Sequence, residues 1–305
     1  MSFAVRQAWD ADLERLVELA VDCQRDPNRS CHYLSSDIAA LRTELREIEG
    51  VDSWTTATWV ALDDERNVIG WIAAESDRLM GRVWWFGPFV VDADLPLADA
   101  IADGLFGAGR RSLAQFFEHE LAIDARSSWL QRFAERNGFQ AEEGSVVLRL
   151  SDLQIEVPGS SVRIEAAAES IDSEVVALHD AIFPGTHSTG AHLFGLTGGR
   201  HDRFVARHEG DVVGYVATEV QHDGSLYIDY VGVSDASCGQ GIGRALVGTA
   251  IRARADEATH AHLTVRVSNT AARELYASLG FVEELVLVPH RLGFTLERAS
   301  ASGVR

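Results

Sequence analysis

A glycine-rich segment in the C-terminal half has the residue types and spacing of a turn that could bind phosphate. It follows residues 226–233, which have a strand-like pattern, and leads into a predicted helix that continues through residues 245–251. The segment consists of Gly239, Gln240, Gly241, Ile242, Gly243 and Arg244. Backbone N–H groups crowd together in such a turn, and the helix dipole favours an anion there. A pyrophosphate would fit, although a simple tight turn into a helix would have the same glycines.

Two common phosphate-binding motifs do not fit this segment. A Walker loop requires Gly-Lys followed by Ser or Thr, and the sequence contains no lysine. A Rossmann fingerprint requires Gly or Ala three residues after its second glycine, but Arg244 follows Gly241 and Leu246 follows Gly243 at that spacing. Kinase-like phosphate binding is therefore excluded, and a nucleotide-dependent oxidoreductase is the least favoured interpretation.

A second segment, residues 262–281, predicts a strand, a helix and a return strand. Asn269 is placed to cap the helix, and Tyr276 follows it by seven residues, so the two lie on one helix face with Ala272 between them. Gly280 ends the helix and Phe281 begins the next strand. An ordinary capping residue and a tyrosine at the edge of the core would give the same pattern.

Together the two segments resemble the acetyl-CoA signature of the GNAT superfamily of N-acetyltransferases. That signature is Arg/Gln-x-x-Gly-x-Gly/Ala, followed by Asn-x-x-Ala-x-x-x-Tyr and then Gly-Phe. The resemblance covers residues 162–296 by order of elements, and its specific residues lie between Tyr227 and Phe281. One position departs from the pattern, because Cys238 stands where the family has Arg or Gln. Affinity for the pyrophosphate could be lower for that reason, unless Gln240 and Arg244 compensate.

The resemblance implies an acetyl-CoA-dependent N-acetyltransferase that acts on a primary amine of a small molecule or peptide. The backbone of Val231, Gly232 and Val233 would bind the pantetheine and the thioester carbonyl. Residues 238–244, with Asn269 and Ala272, would complete the acetyl-CoA site, and Tyr276 would protonate the departing thiolate. The alternative from another class is a non-catalytic acyl-CoA-binding sensor or regulatory module.

An amine acceptor is protonated at neutral pH, so its attack also requires a group that removes a proton. Strand alternation places Asp229 on the same face as Tyr227 and Val231, which makes it the first candidate base. Glu219, at the end of the preceding strand, is the second candidate. A solvated or salt-bridged carboxylate is the competing interpretation of both residues. The resemblance also implies that residues 183–190, between the first two helical regions, form part of the acceptor pocket.

An internal repeat predicts the architecture of both halves. The hairpin at 60–73 is repeated at 205–217, and Gly70-Trp71 matches Gly214-Tyr215 at an offset of 144 residues. We predict an α/β (α+β) protein with two tandem GNAT-like domains, each a mixed, mostly antiparallel sheet flanked by helices. Breaker residues in 151–161 suggest a linker. The predicted domains are 1–155, a degenerate copy, and 160–305, the catalytic copy.

The N-terminal copy lacks the residues that would carry the chemistry. Residues 92–98 replace the glycine loop, and the best match to Tyr276 is Phe133, which has no hydroxyl. We therefore expect the N-terminal copy to be a degenerate scaffold that shapes the acceptor pocket.

Composition excludes several other classes of protein. The formal charge of -19 disfavours binding to nucleic acid, and no apolar run has the length of about 20 residues that spans a bilayer. The three cysteines form no CxxC pair, and His187, His192 and His201 lack metal-ligand spacing. We expect a cytoplasmic protein without metal, membrane or nucleic-acid partners, acting as a monomer or homodimer.

Overall fold

The computed structural model describes residues 2–48, 53–91, 97–156, 162–167, 172–184, 186, 188–196 and 199–293. These residues form two compact units. The first contains the described residues up to 144 together with those from 286 to 293, and the second contains those from 145 to 285. No helix in the described ranges is both long and apolar enough to cross a membrane.

The two halves of the chain share one order of elements: a strand, two helices, three strands, a helix, a strand and a helix. In the first half of the chain the elements are β1 (Ala4–Gln7), α1 (Leu13–Cys23), α2 (Ile38–Arg46), β2 (Thr58–Leu62), β3 (Val68–Asp77), β4 (Arg82–Val90), α3 (Ala98–Ser112), β5 (Glu118–Asp124), α4 (Ser128–Arg136) and β6 (Gln140–Ala141). In the second half they are β7 (Ser145–Leu150), β8 (Arg163–Ala166), α5 (Ser173–Ile182), α6 (Gly190–Gly195), β9 (His201–His208), β10 (Asp211–Val220), β11 (Leu226–Val233), α7 (Ile242–Arg254), β12 (Ala261–Arg266), α8 (Thr270–Ser278) and β13 (Val282–Leu292). Short 3-10 helices lie at Asp10–Asp12, Trp54–Ala57 and Asp235–Ser237.

Each unit is built on a mixed, mostly antiparallel sheet. The first sheet has the order β1-β2-β3-β4-β5-β13, and the second has the order β8-β9-β10-β11-β12-β7. The β4–β5 pair and the β11–β12 pair are parallel, and the other neighbours in these two orders are antiparallel. The predicted fold class and the predicted internal repeat are both confirmed.

The predicted domain boundaries differ from the compact units at the last strand of each sheet. Strand β7 was predicted to end the first domain, but all six of its residues pair with β12 in the second unit. Residues 287–292 of β13 pair instead with β5 in the first unit. Compared with the predicted domains 1–155 and 160–305, the compact units therefore exchange their last strands: β7 belongs to the second unit and this part of β13 to the first. Local sequence could not reveal it, because β7 and β13 occupy equivalent places in the repeat. Within the predicted linker, residues 157–161 lie outside the described residues.

Side-chain caps fix the starts of several helices. Asp37 accepts hydrogen bonds from the N–H groups of Ala39 and Ala40, and Ser127 accepts one from Leu130. In the second unit Asp172 and Asn269 cap α5 and α8 in the same way. These bonds satisfy N–H groups that have no partner within the helix. The helix starts therefore follow from local sequence.

Helices cover the sheet of the second unit on both faces. Helix α7 packs against β10 at Gly214, where an added Cβ would lie 2.9 Å from the Gly232 carbonyl oxygen and 3.1 Å from Leu246 Cδ1. Helices α5 and α6 cover the opposite face through a core that includes Val175, Leu193, Phe194, Val205, Tyr215, Ala217 and Tyr230. The glycine in the repeated Gly-aromatic pair allows the helix to approach, and the aromatic residue fills the other face.

Candidate functional site

Strands β11 and β12 separate shortly after they begin. Their parallel pairing is limited to Leu226 with Ala261 and Tyr227 with His262. Beyond Tyr227, β11 continues to Val233 while its pairing with β10 is maintained. On the edge of β11 that faces β12, the backbone groups beyond Tyr227 are therefore not paired with β12. The family resemblance implied such available backbone groups.

The register of β11 on β10 shows which N–H groups lie along that open edge. Ser234 N–H donates to the Val213 carbonyl, and hydrogen-bonded pairs alternate along antiparallel strands. By this alternation, Gly232 exchanges hydrogen bonds with its partner Tyr215. The N–H groups of Val231 and Val233 then point away from β10, toward the opening. Of the predicted trio, Val231 and Val233 offer donors at the opening, whereas the N–H of Gly232 is used within the sheet.

The glycine loop directs a set of backbone donors outward at the start of α7. Gly239 and Gly241 have φ values of 77° and 79°, a conformation that side-chain-bearing residues rarely adopt. Gly241 is the N-cap residue of α7. Within the described part of the chain, no acceptor bonds to the N–H groups of residues 239–244. An ideal Cβ at Gly239 or Gly241 would meet no atom within 4 Å, so the space beside the loop is open. Six free donors around an open space fit a pyrophosphate.

The side chains of the loop have modest roles in the protein itself. Cys238 is exposed, and its Sγ lies 3.9 Å from the Val233 carbonyl oxygen. Gln240 Nε2 lies 3.4 Å from the Ala236 carbonyl oxygen, whereas Arg244 donates to the Ser278 carbonyl at 3.1 Å. Arg244 therefore ties α7 to α8. Ile242 is buried, and Gly243 allows close packing, because a Cβ there would lie 3.1 Å from Leu275 Cδ1.

Helix α8 places Tyr276 as the sequence predicted. The Oδ1 atom of Asn269 accepts a hydrogen bond from Ala272 N–H at 3.1 Å, so both predicted positions form the cap. Tyr276 is buried, and its ring packs edge-on against Phe281 at a centroid distance of 5.7 Å. Burial raises the pKa of Tyr276 to about 12. This pKa keeps the hydroxyl protonated at neutral pH, so it can donate a hydrogen bond.

A β-bulge in β11 determines where Asp229 lies. Ala217 pairs with Tyr230, but Thr218 pairs with Ile228, so Asp229 is the extra residue of the bulge. Simple alternation had placed Tyr227, Asp229 and Val231 on one face. The bulge breaks that alternation: Tyr227 and Tyr230 share the face covered by α5 and α6, whereas Val231 lies on the α7 face. The predicted grouping with Val231 was therefore wrong.

Asp229 belongs to a cluster of tyrosines on the α5 and α6 face. Burial raises the pKa of Tyr227, and the charge of Asp229, followed by Tyr230 and Tyr276, raises it further. Burial also raises the pKa of Tyr230 to about 12, with a contribution from Asp229. Asp229 therefore lies near Tyr227 and Tyr230, and Tyr227 lies near Tyr276.

Glu219 is less free to act as a base. Its carboxylate forms an ion pair with Arg200, whose NH1 also lies 2.9 Å from His222 Nδ1. Glu219 pairs across β10 and β9 with His201. The guanidinium of Arg200 thus occupies a carboxylate oxygen that an acceptor amine would need to approach. The geometry therefore favours Asp229 over Glu219.

A buried His–Tyr pair adjoins this cluster and had no motif in the sequence. His179 Nε2 lies 3.0 Å from the Ser188 carbonyl oxygen, and Nδ1 lies 2.6 Å from the Tyr215 hydroxyl. A carbonyl can only accept, so Nε2 carries a proton, and Nδ1 shares a second hydrogen bond with the Tyr215 hydroxyl. The ring also packs edge-on against Tyr230 at 4.7 Å. His179 thus joins α5 and β10 to the segment that was expected to form part of the acceptor pocket.

Two positions of the first unit differ from the second in ways that matter for chemistry. Val231 lies opposite Val216 on β10. In the first unit the repeat places Pro88 at the position equivalent to Val231, and proline has no backbone N–H. Phe281 N–H donates to the Tyr276 carbonyl, and Phe139 N–H donates equivalently to the Ala134 carbonyl. The counterpart of Tyr276 is therefore Ala134, not Phe133, and it also lacks a hydroxyl. Residues 92–96, which replace the glycine loop in sequence, lie outside the described residues.

Metal-ligating side chains do not cluster in the described ranges. No group of three or more His, Cys, Asp or Glu side chains there is arranged to hold a metal ion. His192 and His201 lie on α6 and β9, and His187 lies outside the described residues.

Comparison with known proteins relates part of the second unit to a known family. Residues 174–281 match the model described as the acetyltransferase (GNAT) family. A comparison with curated proteins found no match. Residues 174–281 thus match the GNAT family in sequence, and the fold of the chain as a whole is similar to that of GNAT proteins, a tandem GNAT protein among them. The family resemblance of the sequence is thereby confirmed.

Several solved structures share this fold. A GCN5-related N-acetyltransferase from Sphaerobacter thermophilus is 18% identical, with a TM-score of 0.76 over 96% of this chain and 98% of that chain. A tandem GNAT protein from the clavulanic acid biosynthesis pathway is 13% identical, with a TM-score of 0.69 over 96% and 99%. A glucosamine N-acetyltransferase region of a fungal multi-domain β-N-acetylglucosaminidase is 16% identical, with a TM-score of 0.70 over 95% and 38%. At these identities the similarity concerns the fold.

Proposed function

We propose that the C-terminal unit transfers an acetyl group from acetyl-CoA to a primary amine of a small molecule or peptide. The observation that carries this proposal is the juxtaposition of two sets of backbone donors. The N–H groups of residues 239–244 surround an open space at the start of α7, and those of Val231 and Val233 line the opening beside β11. The first set suits a pyrophosphate and the second suits a carbonyl oxygen.

The donors of β11 would act on the reacting carbonyl. Acetyl-CoA supplies an activated acyl group as a thioester. As the amine nitrogen attacks the acyl carbon, negative charge grows on the carbonyl oxygen, and fixed N–H groups stabilise this charge without reorganisation. The strand holds Val231 through its pairing with Val216, so the donor is positioned before the acceptor arrives.

Two side chains would move protons on opposite sides of the reacting carbon. Asp229, directly or through a water molecule, would take the proton that an ammonium must lose before it attacks. Tyr276 would give its hydroxyl proton to the sulfur when the carbon–sulfur bond breaks. The pKa of Tyr276, about 12, keeps this proton on the hydroxyl at neutral pH. Tyr276 also contributes to the raised pKa of Tyr227.

We further propose that the N-terminal unit is a degenerate copy that transfers no acyl group. Pro88 removes the donor that Val231 supplies, and Ala134 removes the hydroxyl that Tyr276 supplies. Both losses affect the proposed chemistry while leaving the scaffold intact. One acetyl-CoA per chain is therefore expected.

Acceptor-dependent release of free thiol from acetyl-CoA would test the proposal. The protein is assayed against a panel of primary amines, and acetylated product is confirmed by mass spectrometry. Tyr276→Phe should lower kcat by about tenfold or more while the Kd for acetyl-CoA stays unchanged. Tyr33→Phe is the matched control, since Tyr33 lies in the first unit and its hydroxyl donates to Glu120. Binding of acetyl-CoA without any acceptor-dependent thiol release would instead favour a non-catalytic sensor.

A further inference from the structure

Arg203 lies on the same sheet face as the tyrosine cluster and has no role in the chemistry described above. It lies on β9 opposite Ala217 of β10, which in turn lies opposite Tyr230 of β11. Cross-strand partners point to the same face of a sheet. Arg203 therefore shares with Tyr230 the face that α5 and α6 cover, and its charge interacts with Asp229.

The guanidinium of Arg203 has unused hydrogen-bonding capacity. Its Nε donates to the Leu193 carbonyl at 2.5 Å, which anchors the side chain to α6. Among the described residues, no carboxylate forms an ion pair with Arg203, and no acceptor bonds to its NH1 or NH2 groups. The remaining N–H groups can therefore form a two-pronged contact with an oxyanion.

Two acidic neighbours of Arg203, the adjacent Asp202 and Glu219 on β10, are bound to other arginines. Asp202 forms an ion pair with Arg254 at 2.5 Å, and Glu219 forms one with Arg200. Partial burial lowers the pKa of Arg203, while the charges of Asp229, Asp202 and Glu219 partly offset that effect. A partly desolvated cation without a direct partner is costly to maintain.

We propose that Arg203 binds an anionic group of the acceptor, so that the preferred substrates are amines that also carry a carboxylate or a phosphate. In this arrangement Asp229 faces the reacting amine and Arg203 faces the acid group. The inference rests on the proposed acetyl transfer and specifies its acceptor. It also predicts discrimination against diamines, because their second cation would lie beside the guanidinium.

Matched acceptors test this inference without any mutation. Glycine, β-alanine and 4-aminobutyrate are compared with their carboxamides and with diamines of the same chain length; glucosamine 6-phosphate is compared with glucosamine. In at least one series the anionic amine should have a kcat/KM about tenfold or more above its neutral partner. The two series distinguish a carboxylate from a phosphate. Equal rates for all charged and neutral partners would overturn the proposal.

Variants then assign the preference to Arg203. Arg203→Met should raise KM for the preferred anionic amine by about tenfold or more, with KM for its neutral partner and the Kd for acetyl-CoA unchanged. Arg203→Lys keeps the charge but loses the planar fork, so it should retain part of the preference. Arg252→Met, an exposed arginine on α7, is the control. A loss of kcat that is equal for both partners would show a structural role and contradict the assignment.

Direct binding separates failure of this inference from failure of the proposed function. Calorimetry measures the anionic amine and its neutral partner with the intact protein and with Arg203→Met, in the absence of acetyl-CoA. If no amine is acetylated but the anionic amine still binds through Arg203, acetyl transfer is wrong and the site assignment holds. If acetylation occurs with no preference in rate or binding, only the Arg203 inference fails.

Discussion

Gly232 lies directly against the ring of Tyr215, so that an added Cβ would be 2.4 Å from Cε1 of the tyrosine. The ring cannot move easily, because Tyr215 is fully buried and its hydroxyl is hydrogen-bonded to His179 Nδ1 at 2.6 Å. Gly232→Ala should therefore lower the free energy of unfolding by about 1–3 kcal/mol, as overpacking does. Denaturation by urea measures the effect. Gly199→Ala, where a Cβ would meet no atom within 4 Å, should change stability by less than about 0.5 kcal/mol.

The double variant provides a check on that explanation. Replacing Tyr215 by Leu removes the atoms that a Cβ at position 232 would meet, although it leaves a cavity. Gly232→Ala should then destabilise the Tyr215→Leu protein less than it destabilises the native one. Fully additive losses would show that the contact with the ring is not the cause.

The two candidate bases should differ in their effect on turnover. Asp229→Asn should lower kcat on the order of 10²-fold, because the group that accepts the amine proton is lost. Glu219→Gln should change kcat only a few-fold, because Glu219 pairs with Arg200 at a partly exposed position. Steady-state kinetics with a fixed acceptor compares the two. The assignment is reversed if Glu219→Gln is the more damaging change.

A buried histidine of the first unit should make stability depend on pH. Trp85 Nε1 donates to His119 Nδ1 at 3.3 Å, which requires an unprotonated Nδ1, and burial followed by the charge of Arg110 lowers the pKa of His119 to about 4. The unfolded chain binds the proton near pH 6.5, so stability is complete above that pH and falls as pH drops toward 4. The loss amounts to at most about 3 kcal/mol.

Comparison with a variant isolates this contribution. His119→Gln retains an acceptor for Trp85 but cannot titrate, so its unfolding free energy should fall less between pH 7 and pH 4 than that of the native protein. Urea denaturation at several pH values gives both curves. Parallel curves would show that His119 does not contribute to the pH dependence.

The parts of the fold that sequence predicted are those with local causes. Glycines at 239 and 241 require a positive φ, Asn269 caps a helix, and Gly70-Trp71 and Gly214-Tyr215 occupy equivalent strands. Each of these depends on neighbours within a few residues along the chain, or on a repeated local pattern. Glycine loop, helix and repeat were therefore predictable, and with them the family.

The parts that sequence missed depend on contacts distant in the chain. The bulge at Asp229 exists only in the pairing of β11 with β10, and it moved Val231 to the opposite face. The exchange of β7 and β13 is likewise a choice of partner strand. Neither His179 nor Arg203 belongs to a sequence motif. Only the folded chain shows that His179 is hydrogen-bonded to Tyr215 and that the charge of Arg203 interacts with Asp229.

The loop before α7 is proposed to bind acetyl-CoA at one site per chain, and Gly241 offers the sharpest test of this site. Gly241 and Gly210 both have a positive φ and open space around the Cβ position, but Gly210 lies in the β9–β10 turn. Tryptophan at either position introduces a comparable backbone strain, while only Gly241→Trp fills the proposed phosphate cradle.

Calorimetric titration of acetyl-CoA into the native protein and these two variants is therefore the most direct measurement. We predict one site per chain for the native protein and for Gly210→Trp, with affinity reduced at least about tenfold in Gly241→Trp. Absence of binding to the native protein, or equal affinity in Gly241→Trp, would contradict the account.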